Sequence, residues 1–321
     1  MIDVGVIGCG PVGRIHAQAY KDSPDADLVA ICDIKRECAD AAAETLGVPA
    51  YYSIEDMFDA AELDAVSVCT ARELHVEPSL MSLERGAHVF CEKPLAMASE
   101  LARPVVEKAK ELGLQLGVDY NRRFAAPYLQ AKAAVAAGEV GELRYIAKRL
   151  SQGGVRETTK YDYLLELYVH SFDLMRHFAG EVVEMFCYHA GARGDAYTTL
   201  ACVFRFESGA LATLTGTVEA TYSQPIEQVE IMGTAGTVWV DNIVEGVRFY
   251  PHDAETHTTW SPNIFGRRDF HVCMGAHVQA FARAIAAGEP APVSGEDGLK
   301  SLQMVDAAIE SFGSGRPVKP Y

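Results

Sequence analysis

The chain has 321 residues, of which 49% are apolar and 22% are charged, and its formal net charge is −16. This length fits about two globular domains, each able to bury its own core. No run approaches the roughly 20 uncharged apolar residues of a membrane span, and the acidic balance argues against nucleic acid as a partner. The N-terminus MIDVGVIGCGPVG lacks the pattern of a signal peptide. We therefore expect a cytoplasmic protein.

The eight cysteines form no CxxC pair and no metal-finger spacing. Those at positions 9, 32, 69 and 91 lie in or just after apolar, strand-like runs. We interpret the cysteines as small buried hydrophobes in a reducing compartment. Neither a disulfide framework nor a structural zinc site is expected.

Short apolar runs alternate with helical patterns over the first 120 residues. Five of these runs are predicted to be buried parallel strands, at 3–8, 27–32, 64–69, 87–91 and 114–119. Helices are predicted between and after them, at about 12–20, 35–46, 53–60, 74–85 and 98–112. This alternation is typical of βαβ units in a doubly wound sheet.

After residue 140 the strand-like runs follow one another with tight turns between them. They lie at 142–152, 182–190, 196–208, 210–220, 227–242 and 246–250, with helical segments at 164–180, 275–287 and 296–312. Apolar residues of 196–208 alternate with polar ones, and Thr213, Thr215 and Thr217 form a polar stripe in the next run. This pattern predicts a mostly antiparallel sheet with one face on a core. The less apolar face favours a homo-oligomer, dimer or tetramer, formed through this sheet.

The fold predicted from these patterns has two domains. Residues 1–121 form a dinucleotide-type α/β domain with a doubly wound parallel sheet, and residues 122–321 form an α+β domain.

The stretch GCGPVG places Gly8, Gly10 and Gly13 after the first strand and at the start of a helix. Such a match is weak alone, but Asp33 lies 20 residues past Gly13, at the end of the second strand. The glycines allow a sharp turn, close approach to a pyrophosphate and tight helix–strand packing. The helix N-terminus then offers N–H groups to the phosphates. A dinucleotide site is therefore predicted here.

The carboxylate of Asp33 can accept hydrogen bonds from the adenosine ribose hydroxyls, which favours NAD over NADP. Lys35 and Arg36 follow directly and are able to pair with a 2′-phosphate. They are equally suited to be solvated residues that open a helix. We predict NAD, with NADP as the alternative.

Lys93 follows the strand-like run 87–91, and Pro94 restricts the backbone next to it. Ligands of open parallel sheets bind beyond the carboxyl ends of the strands, so Lys93 is predicted on the same rim as the glycine loop. An ammonium group there can hydrogen-bond a substrate hydroxyl and stabilise the alkoxide character that grows as hydride leaves. The competing interpretation is a solvated lysine at a strand end.

The helical segment LLELYVHSFDLMRHFAG spaces Glu166, His170 and Asp173 at i, i+4 and i+7, along one face. Removing a proton from an alcohol needs a base near neutral pH, for which histidine is suited. Either Glu166 or Asp173 can hold the imidazole of His170 in one tautomer. A histidine among apolar residues is, however, more often a core residue.

Several stretches resemble the Gfo/Idh/MocA oxidoreductases in order and spacing. They are GVIGCGPVGRIHAQAY, CEKPLA, VDYNRRFAAPY, HSFDLMRHFAG and VSGEDGLKSLQMVDAAIESFGSGRPV. The resemblance implies a Rossmann domain, a second domain with an open-faced antiparallel sheet, bound NAD or NADP, and no metal. It also implies oxidation or reduction at a secondary carbon of a sugar, an inositol or a related polyol. The family lysine falls on Lys93, and the family Asp-x-x-x-His pair falls on Glu166 and His170, with His170 as acid/base.

The sequence departs from the family pattern at several positions. Glutamate stands at 166 for the usual aspartate, Tyr168 stands where glycine is common, and TARELH (70–75) replaces the frequent TPNxxH. The longer carboxylate and the tyrosine are expected to tune the pocket. Arg72 hints at an acidic substrate.

The predicted site therefore has three groups of residues. The catalytic residues are Lys93, His170 and Glu166. The cofactor contacts are Gly8, Gly10, Pro11, Val12, Gly13, Asp33, Ile34, Thr70, Ala71, His75, Glu92, Lys93 and Arg122. The substrate contacts are Lys93, Tyr120, Asn121, Arg123, Glu166 and His170.

Two other functions stay open at this point. One is an oxidoreductase of the same fold acting on a non-sugar substrate, such as a dihydrodiol or an imine. The other is a dinucleotide-binding regulator without turnover, which would be expected to lack Lys93 or the histidine.

Overall fold

The computed structural model describes residues 1–153, 159–221, 225–261 and 271–321 of the chain. Two compact units divide the chain: unit 1 is Met1–Asn121 with His271–Leu299, and unit 2 is Arg122–Phe270 with Lys300–Tyr321. Residues of the helix that begins at His271 pack into the core of unit 1. The predicted division into domains 1–121 and 122–321 stays a prediction.

Unit 1 contains a six-stranded sheet in which every neighbouring pair is parallel. Its strands are β1 (Ile2–Ile7), β2 (Ala26–Cys32), β3 (Ala50–Tyr51), β4 (Ala65–Val68), β5 (His88–Cys91) and β6 (Leu116–Val118). Their order across the sheet is β3-β2-β1-β4-β5-β6. The five predicted strands are all present, and the doubly wound parallel sheet is confirmed. Only β3 was missed, because it is two residues long.

Unit 2 contains an eight-stranded sheet in the order β14-β13-β12-β11-β7-β10-β9-β8. The strands are β7 (Leu143–Leu150), β8 (Val182–Ala190), β9 (Thr199–Phe206), β10 (Leu211–Thr217), β11 (Glu227–Gly233), β12 (Gly236–Val240), β13 (Val247–Pro251) and β14 (Thr258–Trp260). All neighbouring pairs are antiparallel except β7 and β10, which run parallel. The mostly antiparallel sheet is therefore confirmed.

The two faces of the unit 2 sheet differ as the alternation predicted. On β9, Cys202, Phe204 and Phe206 are buried, whereas Val203 and Arg205 are exposed. The threonine stripe of β10 lies on the same, less buried face as Val203 and Arg205. We call this surface the open face of the sheet.

Nine α-helices are found among the described residues. They are α1 (Pro11–Lys21), α2 (Arg36–Leu46), α3 (Ile54–Ala60), α4 (Val76–Glu84), α5 (Ser99–Leu112), α6 (Ala126–Ala136), α7 (Val169–Ala179), α8 (His271–Ala287) and α9 (Gly295–Ser314). Helix α6 was not predicted, because its sequence APYLQAKAAVA has no clear apolar stripe. The predicted helix 164–180 is a π-helical turn over Leu164–Tyr168 that continues into α7.

Helix α8 completes the core of unit 1. Its residues Val278, Phe281 and Ala282 are fully buried and belong to one hydrophobic cluster with residues of α1, β1 and β2. Unit 1 therefore depends on a segment far along the chain from its sheet.

The cysteines differ in one respect from their interpretation as isolated hydrophobes. Cys187 on β8 and Cys202 on β9 lie directly opposite each other and are joined by a disulfide. Both side chains point to the buried face of the sheet, and this long-range register was not available from cysteine spacing. Five of the six free cysteines are buried, as expected: Cys9, Cys32, Cys69, Cys91 and Cys273.

Within the described part of the chain, no helix is both long and apolar enough to cross a membrane. The cytoplasmic location stays a prediction.

Candidate active site

The glycine loop after β1 has a backbone that other residues could not adopt. Gly8 has φ +97°, and a Cβ there would lie 2.5 Å from the carbonyl oxygen of Cys69. A Cβ on Gly13 would lie 1.8 Å from the carbonyl oxygen of Gly8. Both positions therefore require glycine.

Gly10 has a different reason to be glycine. A Cβ there would meet no atom within 4 Å, so the backbone faces open space. Gly10 is also the N-cap of α1, whose first turn contains Pro11 and Val12. Because glycine has no side chain to cap the helix, the N–H groups of this turn stay available to an anion.

Asp33, directly after β2, is fixed by two backbone hydrogen bonds. Its Oδ2 accepts from the N–H of Cys9 at 2.8 Å, and its Oδ1 accepts from the N–H of Lys35 at 2.9 Å. The first bond ties the carboxylate to the glycine loop. The neighbouring Ile34 is 80% exposed, which offers an apolar surface beside Asp33.

The residues of this rim fit a dinucleotide with an unmodified ribose. The open backbone at Gly10 suits a pyrophosphate, and the fixed carboxylate of Asp33 suits a pair of ribose hydroxyls. The guanidinium of Arg36 lies over the ring of Tyr52 at 3.9 Å, so it already has an interaction. These features fit NAD.

Other predicted cofactor contacts lie at the same edge of the sheet. Thr70 and Ala71 follow β4, and Glu92 and Lys93 follow β5. Because β1, β4 and β5 are consecutive in the sheet, their carboxyl ends bring these residues to the rim of the glycine loop.

His75 links the loops that follow β4 and β5. Its Nδ1 lies 2.7 Å from the carbonyl oxygen of Pro94, and its Nε2 lies 3.2 Å from that of Thr70. Burial lowers the pKa of His75 although both carbonyls raise it, so the neutral ring donates one of these bonds. His75 thus links the loop that follows β4 to the loop that follows β5.

Lys93 is half-buried, and the peptide bond between Lys93 and Pro94 is cis. The backbone N–H of Lys93 donates to Oε2 of Glu92 at 3.1 Å. Glu92 is itself buried, and its Oε1 lies 3.2 Å from Nε2 of His16. One carboxylate oxygen of Glu92 therefore holds the backbone of Lys93, and the other contacts the buried His16 in unit 1.

The residues after β6 were predicted as substrate and cofactor contacts. Tyr120 and Asn121 end the first segment of unit 1, and both are buried. Arg122 begins unit 2, where its Nη1 lies 2.6 Å from Oε2 of Glu227. The guanidinium of Arg122 thus has a buried structural partner, whatever else it contacts.

In unit 2, the predicted catalytic helix starts with the π-helical turn. His170 and Asp173 are buried in α7, whereas Glu166 lies on the π-helical turn and is exposed. The shared face of Glu166, His170 and Asp173 that the spacing predicted stays a prediction.

Asp173 is engaged by Arg123. The Nε of Arg123 donates to Oδ2 of Asp173 at 2.8 Å, and its Nη2 donates to Oδ1 at 2.5 Å. This bidentate pair uses both carboxylate oxygens. Both Glu166 and Asp173 stay candidates to orient His170.

Tyr168, one of the departures from the family pattern, packs in the interior of unit 2. Its ring is fully buried, and its hydroxyl donates to the carbonyl oxygen of Leu150 at 2.9 Å. A Cβ on Gly216 would lie 2.4 Å from this hydroxyl, so Gly216 makes room for the tyrosine. Tyr168 is a core residue. Arg72, the other departure, pairs with Glu73, with 3.1 Å between Nε and Oε1.

Unit 2 also contains a buried cluster of charged residues that was not predicted from the sequence. The fully buried Glu227 accepts hydrogen bonds from Lys148 and Tyr128, and it forms the ion pair with Arg122. Burial lowers the pKa of Lys148 to about 8, against the attraction of Glu227. The charges of Arg122 and Lys148 lower the pKa of Glu227, although burial opposes this. Glu227 is thus ionised between two cations.

Three further buried residues of unit 1 were missed: His16, Asp119 and His277. His16 was hidden inside the helix of the glycine loop, and Asp119 inside a predicted strand. Nδ1 of His277 lies 2.7 Å from Oδ1 of Asp119, across a separation of 158 residues. No local pattern could have paired them.

Comparisons with known proteins agree with this architecture. A family model described as "Oxidoreductase family, NAD-binding Rossmann fold" (GFO_IDH_MocA) matches residues 2–120. A second model, "GFO/IDH/MocA C-terminal domain", matches residues 128–239.

Individual proteins are similar over different lengths. A myo-inositol 2-dehydrogenase of Thermotoga maritima is 30% identical over 330 residues, covering 98% of each chain. A D-glucoside 3-dehydrogenase of Escherichia coli is 40% identical over 156 residues, which is 47% of this chain and 44% of that protein. The fold is shared with an oxidoreductase from Agrobacterium radiobacter, crystallised with NAD+, L-tartaric acid and magnesium. That structure has a TM-score of 0.91 at 21% identity, with 99% of this chain and 98% of that chain covered.

Proposed function

Because the chain belongs to the Gfo/Idh/MocA family of NAD-binding oxidoreductases, we propose that it oxidises or reduces a secondary carbon of a polyol. The substrate class is a sugar, an inositol or a related polyol, as alcohol or as ketone. The observation that carries the proposal is the placement of Lys93 directly after β5, on the rim that also holds the glycine loop and Asp33. The names of two relatives, a myo-inositol dehydrogenase and a glucoside dehydrogenase, support the substrate class.

The residues of unit 1 bind and orient the cofactor in this proposal. NAD, when bound, supplies the acceptor or donor of hydride at its nicotinamide ring. The open backbone at Gly10 and the first turn of α1 hold the phosphates. Asp33 selects the ribose with a free 2′-hydroxyl, because its carboxylate would repel a 2′-phosphate.

Lys93 polarises the reacting oxygen. Its ammonium group donates a hydrogen bond that strengthens as negative charge grows on that oxygen. The hydrogen bond from its backbone N–H to Glu92 limits the positions that its side chain can reach.

His170 takes the hydroxyl proton during oxidation and returns it during reduction. Glu166 orients its imidazole from the preceding π-helical turn. The bidentate pair of Arg123 and Asp173 anchors α7 to the segment that follows residue 121 and so fixes the helix that carries His170.

The test is a panel of polyols and sugars with NAD and NADP, followed by absorbance of the reduced nicotinamide. We expect turnover with NAD. Lys93→Met and His170→Asn should each lower kcat/KM by roughly 100-fold or more.

Matched controls are Lys110→Met in α5 and His252→Asn after β13, both at exposed positions, and they should leave the rate unchanged. A substrate that both active-site variants still turn over at the native rate would refute the roles of Lys93 and His170. Turnover of a dihydrodiol or an imine, with none of the polyols, would replace the substrate class.

We also propose that the open face of the unit 2 sheet forms a homo-oligomer. Tyr188, Val203 and Leu211 project from this face and are 63%, 52% and 51% exposed. Light scattering should give a dimer or tetramer. Val203→Glu combined with Leu211→Glu should give monomers, and an unchanged mass would exclude this face.

A further inference from the structure

A chain of four buried side chains runs through unit 1 and ends at the backbone of Lys93. Its members come from four different elements, and none of them is accessible to solvent by more than 8%. In order they are His277 on α8, Asp119 after β6, His16 on α1 and Glu92 after β5.

Two hydrogen bonds and one longer ion-pair contact link these four side chains. Nδ1 of His277 lies 2.7 Å from Oδ1 of Asp119, and Nε2 of His16 lies 3.5 Å from Oδ2 of the same carboxylate. That nitrogen also lies 3.2 Å from Oε1 of Glu92. The last link is the bond from the backbone N–H of Lys93 to Oε2 of Glu92, at 3.1 Å. We call these four side chains the Lys93 network.

The charges of the network make it rigid. Two buried carboxylates repel each other unless a cation lies between them. Burial disfavours a charged imidazole, but Cys69, Asp119 and Glu92 raise the pKa of His16 well above its usual value. Burial favours a protonated Asp119, yet hydrogen bonds from His16 and His277 lower its pKa. Burial and the charge of Asp119 raise the pKa of Glu92, although His16 opposes this. The imidazolium of His16 therefore lies between the ionised Asp119 and the carboxyl group of Glu92.

Two further contacts hold His16 in place. Its Nδ1 lies 3.1 Å from Oγ of Ser67 on β4, and Ser67 in turn lies 2.9 Å from the hydroxyl of Tyr20. With Nδ1 engaged by Ser67, Nε2 is the nitrogen directed at the two carboxylates. If Asp119 is displaced, Glu92 is therefore the remaining carboxyl group of the network that Nε2 of His16 contacts.

We propose that Asp119 and His277 are positioning residues for Lys93, which act through His16 and Glu92. The inference rests on the proposed function of Lys93. His277 lies outside both segments that the family models match, 2–120 and 128–239. Helix α8 thus contributes to the reaction as well as to the hydrophobic core, although it lies between the two segments of unit 2 in the sequence.

The side chains also have the donor set of a metal site. Ligand atoms of His16, Glu92 and Asp119 all lie within 4.8 Å of one another. The bond between His16 and Glu92 and the bond between His277 and Asp119 already hold these side chains close together, and His16 and Asp119 add an ion-pair contact of 3.5 Å. We therefore assign the cluster to positioning, and metal analysis of the purified protein tests the assignment.

The test compares His277→Leu, which removes the donor to Asp119, with His277→Asn, which keeps an N–H near the position of Nδ1. Two measurements are made on the full-length protein. The first is hydrogen exchange of the backbone amide of Lys93, read by mass spectrometry of fragmented peptides. The second is the separation of kcat from the KM for NAD.

For His277→Leu we expect exchange at Lys93 to become about tenfold faster, with kcat roughly 10- to 100-fold lower. The KM for NAD should change less than kcat, because Gly8, Gly10, Gly13 and Asp33 are outside the network, although Glu92 belongs to it. His277→Asn should restore both values. Asp119→Asn should behave like His277→Leu.

Ser82→Ala is the matched control, since Ser82 is equally buried in unit 1 and its hydroxyl donates within α4, to the carbonyl oxygen of Pro78. It should leave both measurements unchanged. The proposal is overturned if folded His277→Leu keeps native exchange at Lys93 and native kcat. It is equally overturned by a stoichiometric metal that the His16, Glu92 and Asp119 side chains bind. If no compound is turned over, the proposed function fails, yet the exchange measurement still decides on the network.

Discussion

Each unit of the molecule buries one cluster of charged side chains, and the two clusters differ in composition. In unit 1 the Lys93 network has two carboxylates and two imidazoles. In unit 2 the cluster around Glu227 has one carboxylate between the guanidinium of Arg122 and the ammonium of Lys148. The first cluster sets two carboxyl groups against two imidazoles, whereas the second sets one carboxylate against a guanidinium and an ammonium group.

This difference separates two uses of buried charge. In the Lys93 network, the imidazole of His16 lies between two carboxyl groups, so loss of one of them leaves the other beside it. In the Glu227 cluster, two cationic groups depend on a single carboxylate, so its loss leaves both of them buried without a counter-charge. We therefore expect the unit 2 cluster to dominate stability and the unit 1 cluster to dominate activity.

The sharpest test of this contrast is the loss of the carboxylate in unit 2. Glu227→Gln leaves Arg122 and Lys148 buried beside each other without a counter-charge. We expect a loss of about 3–5 kcal/mol in the free energy of unfolding, measured with urea.

The control is Glu184→Gln, which breaks the exposed pair with Arg205 across β8 and β9. This change should alter the free energy of unfolding by less than about 0.5 kcal/mol. Equal effects of the two substitutions would show that burial of the ion pair does not determine the loss in the free energy of unfolding.

A second test uses the pH dependence of stability. The pKa of Lys148 is about 8 in the folded chain, because burial disfavours its ammonium form, and the ordinary value is 10.5. Between these values the unfolded chain binds more protons at this residue than the folded chain does. The contribution of Lys148 should therefore rise by up to about 3 kcal/mol as the pH increases from 8 to 10.5.

The measurement is the difference in unfolding free energy between the native chain and Lys148→Met, recorded across this range. Other titrating groups cancel in the difference. A difference that stays constant with pH would contradict a lowered pKa for Lys148.

The contribution of the unit 1 cluster to stability should change at acid pH, whereas that of Lys148 changes at alkaline pH. The histidine hydrogen bonds lower the folded-state pKa of Asp119 below the ordinary 3.8, in spite of its burial. Its stabilisation is thus complete above the ordinary value and is lost as the pH falls through the folded value. Asp119→Asn should lower the free energy of unfolding by about 1–3 kcal/mol at neutral pH. It should also make the fall of stability at acid pH less steep. If the stability of the variant falls as steeply at acid pH as that of the native chain, Asp119 is not ionised in the folded chain.

The smallest effects are expected from the neutral hydroxyl groups at the edges of the clusters. Ser67→Ala removes the hydroxyl between His16 and Tyr20, and Tyr128→Phe removes a donor to Glu227. Each should cost about 1 kcal/mol in thermal or urea unfolding. A much larger cost for either would mean that the hydroxyl, and not the charges, organises its cluster.

Local sequence features predicted a large part of the fold and of the rim in unit 1. The requirement for glycine at positions 8 and 13, the carboxylate of Asp33 and the location of Lys93 all follow from strand ends and turn geometry. These are properties of short segments, in which residue type and spacing determine the backbone.

Features that depend on distant partners were not predicted. The pairing of Asp119 with His277, the burial of Glu227 and the opposition of Cys187 and Cys202 require the completed fold. The packing of Tyr168 was not predicted for the same reason, since Gly216, which makes room for its hydroxyl, is 48 residues away in sequence.

Helix α8 has a consequence for the order of events on the ribosome. The strands of unit 1 are synthesised first, but Val278, Phe281 and Ala282 follow only after most of unit 2. At normal rates of synthesis, the nascent sheet waits on the order of ten seconds for the helix that covers it. Until then its apolar surface is exposed to chaperones, and a ribosome stalled within unit 2 would display an incomplete nucleotide-binding unit.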